Sequence, residues 1–137
     1  MKSVIAAMLL WIGANTNYNV DLQHPEIIFL PQDHLEKAYS REKVPQDTDL
    51  HAFYDLKNNT IYLSENFNLY SAWDKGVLLH ELIHYVQDQN KAKFECLAKM
   101  EGEVWPLQKQ YLLEMHGVEW VYDPLWFKMI SSCHVGL

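Results

Sequence analysis

Two histidines and a glutamate near the middle of the chain have the spacing of a metal site. Residues 80–84 read H-E-L-I-H and match the pattern H-E-x-x-H. On a helix, residues four apart lie on one face, so the imidazoles of His80 and His84 can bind one ion. Neutral imidazole suits Zn²⁺, whose catalytic sites combine three protein ligands with one position for water. The pattern therefore predicts one zinc ion bound by His80 and His84.

Glu81 has the position of a catalytic base. It is rotated by about 100° from His80 around a helix, so its carboxylate can flank the ion without binding it. There it can accept a proton from zinc-bound water, whose pKa the metal lowers to about 7. The same helix carries apolar residues on its opposite face: Leu79, Leu82, Ile83 and Val86. We therefore expect a helix that buries one side and presents a hydrolytic site on the other.

A third ligand is expected from the next helical segment, about residues 93–115, which contains Glu95, Glu101 and Glu103. Glu101 falls within an inward apolar stripe at helical spacing, whereas Glu103 lies about 160° further round, on the polar face. A carboxylate on an apolar stripe is costly unless it is paired or metal-bound. We expect Glu101 to be the third ligand, with Glu103 as the second choice. The alternative for Glu101 is a buried ion pair.

The remainder of the sequence predicts an α+β domain. Short runs that favour strands and longer runs with helical periodicity follow one another along the chain. The predicted strands cover residues 26–30, 51–55 and 60–63, and the predicted helices cover residues 32–40, 73–89 and 93–115. Pro106 should kink or restart the last helix, and no element is assigned from Gly117 onward. A small antiparallel or mixed sheet should pack against the two long helices.

The first 19 residues have the composition of a secretory signal peptide, with one lysine, an apolar run and small residues at its end. We therefore expect an exported protein, periplasmic or secreted, with a single domain over residues 20–137. The alternative is a buried N-terminal helix of a cytosolic protein. The apolar run is too short for a comfortable transmembrane helix, so no membrane span is expected in the mature chain.

Charge and cysteine content restrict the partners and the compartment. The formal net charge is -7, and the eleven Lys and Arg residues form no run, which argues against a nucleic-acid partner. Cys96 and Cys133 are the two cysteines. In an exported protein an even count favours one disulfide between them, and in a cytosolic protein two buried free thiols.

The H-E-x-x-H motif, followed by a second helix with Glu101, resembles the zincin metallopeptidases, specifically their glutamate-ligand branch, the gluzincins. The turn-rich residues 57–59 between the strands 51–55 and 60–63 predict a β-hairpin. Together with this hairpin, Cys96 and Trp105, residues 25–115 resemble small exported bacterial zincin-like proteins. The resemblance implies zinc on His80, His84 and Glu101, catalysis by Glu81, and a peptide or protein substrate. It also implies that residues 51–55 form an edge strand along which a peptide can lie extended.

The chain departs from that family pattern in two respects. Gluzincins of the thermolysin type have an Asp four residues after the ligand Glu, and here that place is taken by Trp105. Second, no residue that stabilises the oxyanion can be assigned. The candidates are His116, Tyr111, Tyr122 and His134. We interpret His24, His34 and His51 as surface or turn residues rather than ligands.

Three functions follow from these features. The first is a zinc peptidase in which Glu81 moves the proton from water to the leaving amine. The second is a zinc-stabilised binding module, weak or inactive in catalysis, that acts through a protein partner. Glu81 disfavours this alternative, since a structural zinc site has no use for a base beside the metal. The third is a metal-free interaction protein, which is supported only by the aromatic C-terminal segment.

Overall fold

The computed structural model describes residues 1–40 and 50–133 and confirms an α+β fold. Its helices and strands follow in the order α1 Lys2–Asn15, β1 Glu26–Leu30, α2 Gln32–Ser40, β2 Ala52–Asp55, β3 Thr60–Ser64, α3 Ala72–Gln89, α4 Leu97–His116 and α5 Pro124–Ile130. The predicted strands and the helices α2 and α3 agree with these bounds to within one residue. Helix α1 was expected only under the alternative interpretation of the N-terminal segment, and α5 was not assigned from the sequence.

The three strands form a mixed sheet in the order β1-β3-β2. β1 runs parallel to β3, with Glu26 opposite Thr60 and Leu30 opposite Ser64. β2 and β3 form the predicted hairpin and pair antiparallel. The turn between them ends at Asn59, whose φ of 52° lies in the left-handed region that asparagine tolerates. β2 is therefore an edge strand of this sheet.

Helix α3 belongs to both the core and the candidate site. It begins after Ser71, whose hydroxyl accepts a hydrogen bond from the backbone N–H of Asp74. Its apolar face is fully buried, as its periodicity predicts; the residues are Leu78, Leu79, Leu82, Ile83 and Val86. Burial of five such side chains fixes the rotation of the helix and so the direction of its opposite face.

Helix α4 packs closely along α3 and carries the second part of the site. A Cβ atom added at Gly76 would lie only 2.9 Å from Leu112 Cδ2, so glycine permits the close approach of the two helices. The predicted start near residue 93 is wrong, because Cys96 is extended and precedes the first helical residue. Of the two outcomes expected at Pro106, a kink or a restart, the restart does not occur, since α4 is one helix through this residue. Val104 and Gln108 are buried on either side of it, so packing maintains the helix.

The N-terminal segment forms helix α1, which packs against α3. Its buried residues, Ile5, Met8, Leu9 and Ile12, belong to the same core as the apolar face of α3. This arrangement agrees with the alternative interpretation of the segment as a buried helix. The signal peptide stays a prediction. None of the helices within the described ranges has the length and apolarity needed to cross a bilayer.

A disulfide between Cys96 and Cys133 joins the beginning of α4 to the segment after α5, with the two Cα atoms 5.9 Å apart. The predicted pairing is confirmed. α5 begins with Asp123, whose carboxylate accepts a hydrogen bond from the backbone N–H of Leu125, and with Pro124 in the first turn. The disulfide therefore anchors the C-terminal segment beside α4.

Candidate metal centre

Three side chains from two helices converge at one point. His80 and His84 extend from α3, and Glu101 extends from the second turn of α4. Glu101 Oε1 lies 3.2 Å from His80 Nε2 and 2.5 Å from His84 Nε2. One ligand atom from each residue lies within 4.8 Å of the other two, so the three could hold a metal ion. The predicted convergence of His80, His84 and Glu101 is confirmed.

A glutamine holds the outer nitrogen of each histidine. His80 Nδ1 donates to Gln108 Oε1 at 2.8 Å, and His84 Nδ1 donates to Gln87 Oε1 at 2.9 Å. Both amides are buried, with exposed fractions of 3% for Gln108 and 0% for Gln87. Because each Nδ1 keeps its proton, each Nε2 can offer a lone pair to an ion.

The orientation of the Gln87 amide is itself determined by hydrogen bonds. Its Nε2 donates to the backbone carbonyl of Met100 at 3.2 Å and to Glu103 Oε1 at 3.0 Å. The Gln87 oxygen must therefore face His84. Glu103, the second choice for the third ligand, lies outside the cluster and also accepts a hydrogen bond from the hydroxyl of Tyr18 at 2.6 Å.

Trp105 supports the carboxylate of Glu101. Its indole N–H donates to Glu101 Oε2 at 3.3 Å, which leaves Oε1 directed at the histidines. In the thermolysin pattern the residue four positions after the ligand glutamate supports a histidine. Here that residue, Trp105, orients the carboxylate of Glu101, and the two glutamines orient the histidines. No role was assigned to Gln87 or Gln108 from the sequence.

The cluster is charge-balanced by its own residues. Burial lowers the pKa of His80, but the carboxylates of Glu101 and Glu81 outweigh burial and raise this pKa to about 9. Burial alone would raise the pKa of Glu101, yet His80 and His84 hold it far below its usual range. The carboxylate of Glu101 is thus ionised and suited to a cation.

Glu81 lies beside the cluster without joining it. Glu81 Oε2 is 3.9 Å from His80 Nε2, and the backbone N–H of Tyr54 on β2 donates to the carboxylate. Burial is the largest influence on Glu81 and raises its pKa above the ordinary value for a glutamate. A buried carboxylate with a raised pKa is a stronger base than one in water, which suits proton transfer.

The cluster lies at the base of a cleft with a volume of about 700 Å³. Strand β2, the two long helices and the C-terminal segment contribute its walls. These walls are mainly apolar and aromatic and include Leu50, Phe53, Trp73, Leu97, Trp105 and Trp120. The C-terminal wall is held by ring contacts, since Trp120 lies 5.2 Å from Trp105 and 5.3 Å from Trp73 between centroids.

The candidates for oxyanion stabilisation lie elsewhere. Tyr111, His116 and Tyr122 do not line the cleft, and Tyr111 is hydrogen-bonded to His116 instead. His134 lies outside the described residues. By contrast His51, which was interpreted from the sequence as a surface or turn residue, lines the cleft.

Two imidazoles, one carboxylate at the same point and a second carboxylate alongside define a candidate His₂Glu metal centre on an α+β fold. The chain belongs to the family described as a domain of unknown function, DUF6647, which matches residues 1–135. No curated protein and no solved structure matches the chain.

Proposed function

We propose that this protein is a zinc-dependent hydrolase, a metallopeptidase of the zincin type that cleaves peptide bonds. One observation carries the proposal. The Nε2 atoms of His80 and His84 meet Glu101 Oε1 at one point while Glu81 stands beside them as a separate carboxylate. This arrangement agrees with the residue roles that the gluzincin resemblance implies.

The donor set fits zinc. Two imidazoles, from which the ion displaces any proton on Nε2, and one carboxylate are typical ligands of catalytic zinc, and three protein ligands leave a fourth position open. The two buried glutamines hold the imidazoles in the tautomer that binds metal through Nε2. When bound, zinc supplies a Lewis acid that lowers the pKa of water to about 7 and polarises the scissile carbonyl.

Glu81 then acts as the proton carrier. Its carboxylate accepts a proton from the attacking water and delivers that proton to the leaving amine. Tyr54 holds the carboxylate in place through its backbone N–H, so the base is oriented by the strand that borders the cleft. The raised pKa of Glu81 makes its carboxylate a stronger base than an exposed glutamate, which suits acceptance of a proton from water.

The cleft favours an extended peptide as the substrate. Within residues 1–40 and 50–133, β2 pairs only with β3, so its other side can add a further strand through backbone hydrogen bonds. The apolar and aromatic walls would bury side chains of such a peptide and exclude water from the site. No observation favours a purely structural zinc module over catalysis.

The test combines zinc analysis with peptide hydrolysis. The purified protein and its Glu81→Gln variant should each contain one equivalent of zinc, and His84→Ala should contain none. On a mixture of unstructured peptides, Glu81→Gln should lower kcat/KM by about 10²- to 10⁴-fold, the usual contribution of a positioned base.

Glu95→Gln is the matched control, because Glu95 is exposed and makes no contact with the cluster in the described part of the chain. This variant should retain both zinc and activity. Zinc in the wild-type protein without turnover of any peptide would replace the peptidase with the binding module. Absence of zinc from the wild-type protein would overturn the metal site itself.

A further inference from the structure

A second pair of polar residues lies in the cleft beside the candidate metal centre. His51 precedes the first residue of β2 and lines the same cleft as His80, Glu81 and His84. His51 Nδ1 lies 3.1 Å from Asp74 Oδ1. The backbone of His51 is fixed as well, because its carbonyl accepts a hydrogen bond from Ser64 N–H at 2.8 Å. Neither residue has a role in the site described above.

Asp74 holds the ring of His51 in one orientation. The Asp74 side chain is only 8% exposed, and its other oxygen accepts the backbone N–H of Asn68 at 2.9 Å. A carboxylate only accepts hydrogen bonds, so the proton between the two side chains belongs to His51 Nδ1. The ring nitrogen that His51 can offer to a bound molecule is therefore Nε2, on a side chain that is 35% exposed in the cleft.

The number of residues along β2 and along α3 gives the approximate spacing between the His51–Asp74 pair and Glu81. Tyr54, which holds Glu81, is three residues from His51 along β2, which corresponds to about 10 Å of strand. Asp74 is seven residues before Glu81 on α3, which also corresponds to about 10 Å along the helix. An extended peptide advances by about 3.3 Å per residue, so this distance corresponds to two or three substrate residues.

The backbone of β2 next to His51 lies on the side of the strand that a substrate peptide could approach. His51 faces β3 through its carbonyl, and hydrogen-bonding direction alternates along a strand, so the backbone groups of Ala52 and Tyr54 point away from β3. The N–H of Tyr54 is used by Glu81. Ala52 is only 3% exposed but lines the cleft, so a substrate strand would reach its outward backbone groups at the cleft wall, one residue after His51.

We propose that His51, oriented by Asp74, forms a substrate subsite in which Nε2 hydrogen-bonds the backbone of a peptide residue two or three positions from the scissile bond. This subsite rests on the proposed peptidase function and extends it. A peptide group contains both a donor and an acceptor, so Nε2 can bond to it in either protonation state. The substrate class is thus an extended peptide longer than a dipeptide, recognised here through its backbone rather than through a side chain.

The test measures binding as a function of peptide length. The full-length, zinc-loaded Glu81→Gln variant is titrated by calorimetry with a blocked dipeptide and with the same dipeptide extended by three alanines at either end. The comparison is repeated with His51→Ala added. We expect one of the extended peptides to bind more tightly than the dipeptide. The added His51→Ala change should reduce this advantage about tenfold, the contribution of one hydrogen bond.

His51→Gln and His34→Ala complete the set of variants. Gln at position 51 can still offer a side-chain N–H and should restore part of the advantage, and His34 has a side chain that is 62% exposed and does not line the cleft. An equal loss for short and long peptides, or no loss for either, would overturn the subsite. If the wild-type protein hydrolyses no peptide but longer peptides still bind more tightly through His51, the proposed catalysis is wrong and the subsite stands.

Discussion

Each imidazole of the cluster is oriented by an uncharged acceptor. Gln108 and Gln87 accept from the Nδ1 atoms of His80 and His84, where many zinc proteins use a carboxylate. Neutral acceptors leave the negative charge of the site on Glu101 and Glu81, and two carboxylates balance one divalent ion. The amides thus fix the ring tautomer without adding charge to a buried site.

Replacing one of these amides should weaken the metal site while the ligands remain. Gln87→Leu removes the acceptor of the His84 Nδ1 proton, so the ring loses both its fixed tautomer and its fixed orientation. We expect zinc affinity to fall by about 10- to 100-fold, measured by competition with a chromophoric chelator.

Gln89→Leu is the control on the same helix, because the Gln89 side chain donates to Asn59, at the hairpin turn, and takes no part in the cluster. Its zinc affinity should equal that of the wild-type protein. If Gln87→Leu binds zinc as tightly as Gln89→Leu does, the amide does not orient the ligand.

At the scale of elements, α3 couples the site to the core. One face of this helix is completely buried against the sheet and α1, and another presents both histidines, so any rotation of α3 would move the ligands. α4 lies against it at the close approach that Gly76 permits. The geometry of the site therefore depends on how tightly three helices pack.

The contribution of α1 to this packing can be measured. Ile12 is fully buried in the shared core, and Ile12→Ala should lower the free energy of unfolding by about 2–5 kcal/mol through lost burial and the cavity left behind. Leu10 on the same helix is 72% exposed, and Leu10→Ala should change the free energy of unfolding by less than about 0.5 kcal/mol.

Chemical denaturation of both variants and of the wild-type protein measures the free energy of unfolding, and N-terminal sequencing shows whether the purified protein still contains α1. Equal stability of Ile12→Ala and the wild-type protein would show that α1 is no part of the folded core. Sequencing tests the prediction that the first 19 residues are an export signal.

At the scale of the whole molecule, the C-terminal segment completes the cleft. Trp120 closes one wall by contact with Trp73 and Trp105, and the disulfide at Cys133 ties the end of this segment to Cys96 before α4. A disulfide of this kind is typical of an oxidising compartment, which is consistent with the expected export. It holds together parts of the chain that are 37 residues apart in sequence.

Removing the disulfide should lower global stability. The double variant Cys96→Ser/Cys133→Ser loses the cross-link that restricts the unfolded chain, and its free energy of unfolding should fall by about 2–4 kcal/mol. The measurement is urea denaturation of the variant and of the wild-type protein under oxidising and reducing conditions. Reduction should destabilise the wild-type protein and leave the variant unchanged; a wild-type protein indifferent to reductant would contradict the prediction.

Local patterns were sufficient for most of the elements and for the metal cluster. The helical repeat places residues four apart on one face, and this geometry needs no tertiary information, so His80 and His84 could be paired from spacing alone. The same repeat placed Glu101 on the inward face of α4. A local signal for α5 was also present but not used, since Asp123 before Pro124 is a typical helix start.

The sequence by itself determined the H-E-x-x-H helix and the hairpin, because each depends on neighbours in the chain, and the count of two cysteines limited any disulfide within the chain to one pair. Only the tertiary structure decided which side chains orient the ligands and which residues line the cleft. His80 and Gln108 are 28 residues apart, and His51 and Asp74 are 23 apart. Contacts of this range depend on the rotation of one packed element against another, which burial of many side chains together determines and no local pattern encodes.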